Sequence, residues 1–149
     1  MNKTRNLTAI VTLWVNRVVA LVLFALIFCL PAILDWYLGF RYLSPAERAT
    51  VMAGFYVCAV IIGFALWTMD TLLRSILQGR VFVRENVRAI RRVCWCCGLV
   101  ALITAVTCFA YLPLIFLAVI MGFLCLTVSV VCGVMDAAVT IREENDLTI

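Results

Sequence analysis

The chain contains no histidine, and that absence alone removes much of enzyme chemistry. No imidazole can serve as a general base near neutral pH, so Ser-His pairs and His-based zinc motifs are excluded. Charged residues are scarce too, at 13% of the sequence, which is too few to clothe a soluble domain in polar surface. Three prolines and seven glycines punctuate 149 residues, and no glycine-rich run has the form of a phosphate loop. No serine stands beside a plausible base. An enzyme is therefore the least expected class, with no catalytic, cofactor-binding or metal-binding residue to assign and no cofactor to expect.

What the chain has in excess is apolar length. Hydrophobic residues make up 66% of it, and the mean hydropathy is +1.16. A soluble core of this size cannot hide so much apolar surface. About 20 apolar residues cross the ~30 Å hydrocarbon layer of a bilayer as a helix, and four windows qualify, at 18–34, 51–69, 93–111 and 114–135. The expected fold is an all-α bundle of four transmembrane helices forming a single membrane domain. All but Arg41 and Arg48 of the twelve Lys and Arg residues fall in segments that an even number of spans puts on one side. The positive-inside rule makes that side cytoplasmic, with both termini there. The first window lacks the cleavage pattern of a signal peptide and reads as a retained helix.

The segments between the windows carry the remaining signals. Asn16 and Arg17 interrupt the apolar run that precedes the first span, which suggests a short interfacial stretch at 7–15. On the far side Trp36, Tyr37, Phe40 and Tyr42 suit an aromatic belt. Ser44-Pro45-Ala46-Glu47 has the form of a capping box and marks a helix start. The polar loop at 70–92 opens with Asp70 and Arg74 at helical pairing distance. It closes on a basic helix that presents Arg84, Arg88, Arg91 and Arg92 on one face. A solvated, lipid-facing surface is the plain reading of that face, and a docking surface is the sharper one. The cytoplasmic tail at 136–149 holds the acidic cluster Glu143, Glu144 and Asp146 and ends in the apolar Leu147 and Ile149. Met69-Asp70 and Met135-Asp136, each followed by a Glu-Asn pair, are compatible with two hairpins descended from one.

The run Leu77-Gln78-Gly79-Arg80-Val81-Phe82-Val83-Arg84-Glu85-Asn86-Val87, with the closing Glu144-Asn145-Asp146-Leu147-Thr148-Ile149, resembles the bacterial membrane proteins grouped as domain of unknown function 2975. The four-span layout matches as well. One position departs: the family commonly has Ser or Thr where this chain has Val83, which offers no side-chain oxygen to the helix that follows. The resemblance implies a multi-pass protein of the bacterial cytoplasmic (inner) membrane with no established enzymatic activity. It also implies a partner, since members are often encoded beside a very small helix-turn-helix DNA-binding protein.

Eight cysteines invite a metal or redox reading, but tetrahedral zinc needs four ligands and no second pair of suitable spacing stands in the aqueous segments. Cys94, Cys97, Ala101, Ala105 and Cys108 read better as a small-residue stripe that lets helices approach closely. Ala59-x-x-x-Gly63, Ala118-x-x-x-Gly122 and Ser129-x-x-x-Gly133-x-x-x-Ala137 read alike, and such faces also suit a homo-oligomer. Asp136 sits near the end of an apolar run, where an ionised group needs a partner. Arg17 and Arg74 are the candidates. A structural ion pair is preferred to a proton or cation site shared with Asp70, because neither aspartate lies in mid-span. The leading functional expectation is a non-enzymatic sensor, anchor or sequestering partner of a small cytoplasmic helix-turn-helix regulator. Membrane lipids are the other expected contact, and no direct nucleic-acid binding is expected. A small transporter or channel subunit is the alternative, and a structural assembly factor the third.

Overall fold

The computed structural model describes residues 2–38, 44–78 and 83–147, and these form four helices with no strand among them. Helix α1 spans Asn2–Leu38, α2 Pro45–Leu77, α3 Arg84–Thr107 and α4 Leu114–Leu147. All four are long and apolar enough to cross a membrane, so the chain is a multi-pass membrane protein of the expected all-α class. Hydrocarbon offers no water to a free N–H or C=O, and a helix pairs every such group within its own segment.

The helices outrun the hydropathy windows. Helix α1 has 37 residues, about 55 Å at ~1.5 Å per residue. It passes unbroken through Asn16 and Arg17, where the sequence predicts an interruption. The Asn16 amide donates to the Leu66 carbonyl of α2 at 3.1 Å, so it does not compete for its own helix backbone. Helices α2 and α4, of 33 and 34 residues, overrun the bilayer likewise. Their surplus turns project beside Arg17, Arg74 and Arg84, at what is termed here the basic end. The loop at 70–92, expected to continue the second helix at its start and to close on a basic helix, is helical at 70–77 and 84–92, and the tail at 136–149 is helical to 147.

Helix ends follow local chemistry. Ser44 caps α2: the Glu47 N–H donates to Ser44 Oγ at 3.3 Å, and the Ser44 N–H donates to Glu47 Oε2 at 2.8 Å. Val83 caps α3 with no side-chain bond, as its hydrocarbon side chain requires. The Asn86 N–H turns instead to the Val83 carbonyl at 2.9 Å. Helix α3 stops at Thr107, short of the predicted 111. Turns at 108–110 and 112–113 replace the expected two-residue link. Within them the Tyr111 N–H still reaches Thr107 O at 3.2 Å, and the Leu114 N–H reaches Tyr111 O at 3.1 Å. Pro31 lies inside α1 and cannot donate to the Ile27 carbonyl. The Tyr56 hydroxyl of α2 meets that carbonyl at 3.5 Å.

The helices pack in chain order: α1 on α2, α2 on α3, α3 on α4. Among the described residues no other pair makes close backbone contact. Helices α1 and α4 instead border an apolar cavity of about 190 Å³, which Leu23, Phe55, Thr104 and Met121 line from the four helices in turn. The tightest core lies at the basic end of the α3–α4 pair, where Val87, Cys132 and Val139 pack with Ile90 and Met135.

The small-residue stripes mark close approach only in part: Cys94 packs on Cys125 of α4 and Ala59 is buried, while other stripe positions do not meet a neighbouring helix. Gly63, Gly122 and Gly133 face open space, and Ala105 is exposed. The tight crossing is at Gly54, where an added Cβ would lie 2.8 Å from Thr107 Oγ1 of α3. Thr107 is held there by donating to the Ile103 carbonyl at 2.7 Å. Gly54→Val should therefore destabilise the α2–α3 contact by about 1–3 kcal/mol. Thermal unfolding in mild detergent would show this as a lowered midpoint, with Gly122→Ala unchanged as the control.

Candidate functional site at the basic end

The polar side chains gather where the helices leave the hydrocarbon. On the first hairpin Asp70 is shared by two arginines: Arg74 Nε lies 2.7 Å from Oδ2 and Arg17 Nε 3.6 Å from Oδ1. Asp70 is largely buried, and its Oδ1 has no hydrogen-bond partner. The second hairpin repeats the arrangement. Asp136 is shared by Arg91 at 3.5 Å and Arg84 at 3.7 Å. The sequence pointed to Arg17 and Arg74 as partners of Asp136, and this is corrected: both belong to Asp70. The reason is topological, because α4 packs on α3 and not on α1 or α2. A further pair, Arg48 and Asp35 at 2.6 Å, ties α1 to α2 at the opposite end.

Arg84 makes the strongest contact of the face. Its Nε donates to both carboxylate oxygens of Glu143 at 3.1 Å, and its Nη2 donates to Oε2 at 2.7 Å. A planar fork meeting a carboxylate in this way fixes direction as well as distance. Both residues lie outside the hydropathy windows at 93–111 and 114–135. The Arg84 guanidinium holds the Glu143 carboxyl below the usual carboxylate range, and Glu143 in return raises Arg84. Arg88 and Arg92 are exposed, and among the described residues neither has an acidic partner. Glu144 is exposed at the end of α4. Residue Ile149 and the side chains of Asp146 and Leu147 lie outside the described residues.

Several cysteines take part in packing. Cys94 of α3 and Cys125 of α4 place their sulfurs 3.7 Å apart, each 3.4 Å from the other's backbone carbonyl. Cys132 sits in the core beside Val87. Among the described residues no group of three or more Cys, Asp or Glu side chains is arranged to hold a metal ion.

Two stretches far apart in sequence thus meet at one face, the start of α3 and the end of α4. They overlap the two stretches, 77–87 and 144–149, from which the resemblance is read in the sequence. A family model described as a protein of unknown function, DUF2975, matches residues 18–149. The chain belongs to the DUF2975 family. Comparison with curated proteins gives no match, and comparison with solved structures gives none. In this DUF2975 member, Arg84 and Asn86 of the characteristic run lie within the described residues, and Arg84 is the residue that clasps α4. Gly79 to Phe82 lie outside them.

What sequence reading missed is the twofold sharing of each aspartate, since it depends on which helices adjoin. The Arg84–Glu143 clasp gives a direct test. Glu143→Gln should expose the last turns of α4 to protease, and exchanging the two charges, Arg84→Glu with Glu143→Arg, should restore protection. Because Glu143 is held ionised in the folded protein, the clasp is complete near neutral pH. It is lost as pH falls through the lowered value, so protection should weaken in acid in the wild type and not in Glu143→Gln.

Proposed function

We propose that the protein is a non-enzymatic membrane anchor that holds a small helix-turn-helix regulator at the cytoplasmic face of the bacterial inner membrane. The observation carrying this reading is the Arg84–Glu143 clasp between the start of α3 and the end of α4. The clasp is exposed on both sides, so a partner with a competing carboxylate or guanidinium can replace one half of it without unfolding a core. Beside it Arg88 and Arg92 offer unclaimed positive charge at the headgroup level. The bias of Lys and Arg toward one side supports a cytoplasmic basic end. In the open state the regulator binds the freed face and is withdrawn from DNA. In the clasped state it is released, and movement of α3 against α4 within the membrane sets the balance between the two.

The orientation is tested in a cysteine-free variant carrying single cysteines. A cysteine at Ser75 should be shielded from an impermeant thiol reagent in intact cells, and one at Arg41 should react. Labelling of the Ser75 position from outside would reverse the assignment. The docking role is tested by deleting residues 143–149 and isolating the protein from native membranes. Co-isolation of a small DNA-binding protein with the full chain, and its loss on deletion with insertion intact, is the expected result. Undiminished recovery with the truncated chain would remove the face from the binding role.

A further inference from the structure

Each hairpin has a groove on its surface, and the two grooves are built alike. The groove between α1 and α2 has a volume of about 400 Å³ and that between α3 and α4 about 610 Å³, both within the ~300–1,000 Å³ common for ligand sites. The linings correspond in register. Gly63, Leu66 and Trp67 precede Asp70 at the same intervals as Ser129, Cys132 and Gly133 precede Asp136. On the facing helices Ala20 and Phe24 follow Arg17 as Cys94 and Gly98 follow Arg91. Each groove is also lined by a tryptophan, but out of register: Trp67 comes from the aspartate-bearing helix and Trp95 from the arginine-bearing helix, 68% and 71% exposed. Three parts therefore recur on the two hairpins: an apolar trough, an arginine at its basic end and an aspartate holding that arginine.

We propose that each groove is a binding site for one anionic glycerophospholipid from the leaflet on the basic side. The lipid phosphate meets Arg17 in the first groove and Arg91 in the second, and an acyl chain lies in the trough. Charge decides the headgroup. In the first groove Asp70 has Arg74 as a second arginine, so Arg17 is not consumed by neutralising it; in the second Arg84 also serves Glu143, so Arg91 is the weaker of the two anion sites. The distance of the groove arginine from the carboxylate, 3.6 Å for Arg17 and 3.5 Å for Arg91, leaves guanidinium donors for a phosphate. A zwitterionic lipid gains less, because its ammonium finds no free acid in the first groove. Asp70 Oδ1 is enclosed there and Oδ2 is taken by Arg74. The trough is open where the chain would lie, since a Cβ added at Gly63 or Gly133 meets nothing within 4 Å. This inference shares Arg84 with the proposed docking of a regulator but does not rest on that docking.

The test is native mass spectrometry of the delipidated full chain, titrated with phosphatidylglycerol or with phosphatidylcholine. Two saturable phosphatidylglycerol adducts are expected, with phosphatidylcholine binding weaker. Arg17→Gln and Arg91→Gln should each weaken one adduct roughly tenfold, the loss of one charge-assisted contact, and the double variant should weaken both. Gly63→Leu and Gly133→Leu fill the troughs without touching a charge, and each should remove one adduct. They also decide the matter for either groove if its arginine variant fails to fold. Equal adducts with the two lipids, or adducts unchanged by the groove-filling variants, would overturn the proposal.

Discussion

A peptide group in hydrocarbon must find its partner within the protein, and most of this structure follows from that demand. It makes every crossing segment a helix, and it accounts for the exceptions. Pro31 leaves the Ile27 carbonyl without its helical donor, and a tyrosine hydroxyl from the next helix is placed against it. At the α3–α4 link, where the chain must reverse, short-range turns carry the bonds that the helices give up. Even the polar side chains within the helices obey it: Thr68, Thr104 and Thr107 donate back to carbonyls of their own helix.

Once the backbone is satisfied in this way, little remains to choose how the helices pair. Lipid tails are as apolar as leucine, so burial does not draw one helix to another as it does in water. Small contacts decide. Gly54 admits α2 to the side of Thr107, and the sulfurs of Cys94 and Cys125 meet across α3 and α4. At the basic end, where dielectric falls between that of water and that of lipid, two aspartates each gather two arginines. An ionised carboxylate at this depth is costly unless paired, and its pairing favours adjacent helices at one particular register. The result is two hairpins with one plan, joined side by side through α2 and α3.

The basic end joins two features. Its arginines head the grooves, and Arg84 clasps Glu143 near the end of α4. Helix α3 takes part in both, carrying Arg91 and Arg84 less than two turns apart. A shift of α3 along α4 would therefore be felt at both at once. The compact core of Val87, Cys132 and Val139 lies between these two residues, so such a shift would move as a unit rather than by local fraying.

The sequence by itself determined that the chain is helical, that it crosses a membrane, where α2 begins, and that Asp70 meets Arg74. Each of these rests on interactions within one segment: hydrophobic length, a capping box, an i,i+4 pair. The extension of α1 through Asn16 was not legible, because the residue that keeps its side chain occupied is Leu66 on another helix. Nor was the partner of Asp136, since Arg17, Arg74, Arg84 and Arg91 all crowd one side and only the order of packing separates them. The glycines divide the same way. Gly54 and Gly63 look alike in sequence, and only the neighbouring helix makes one a close contact and leaves the other open to lipid. Tertiary structure decided these points because contacts between helices in lipid depend on adjacency and register, which the periodicity of a single helix does not encode.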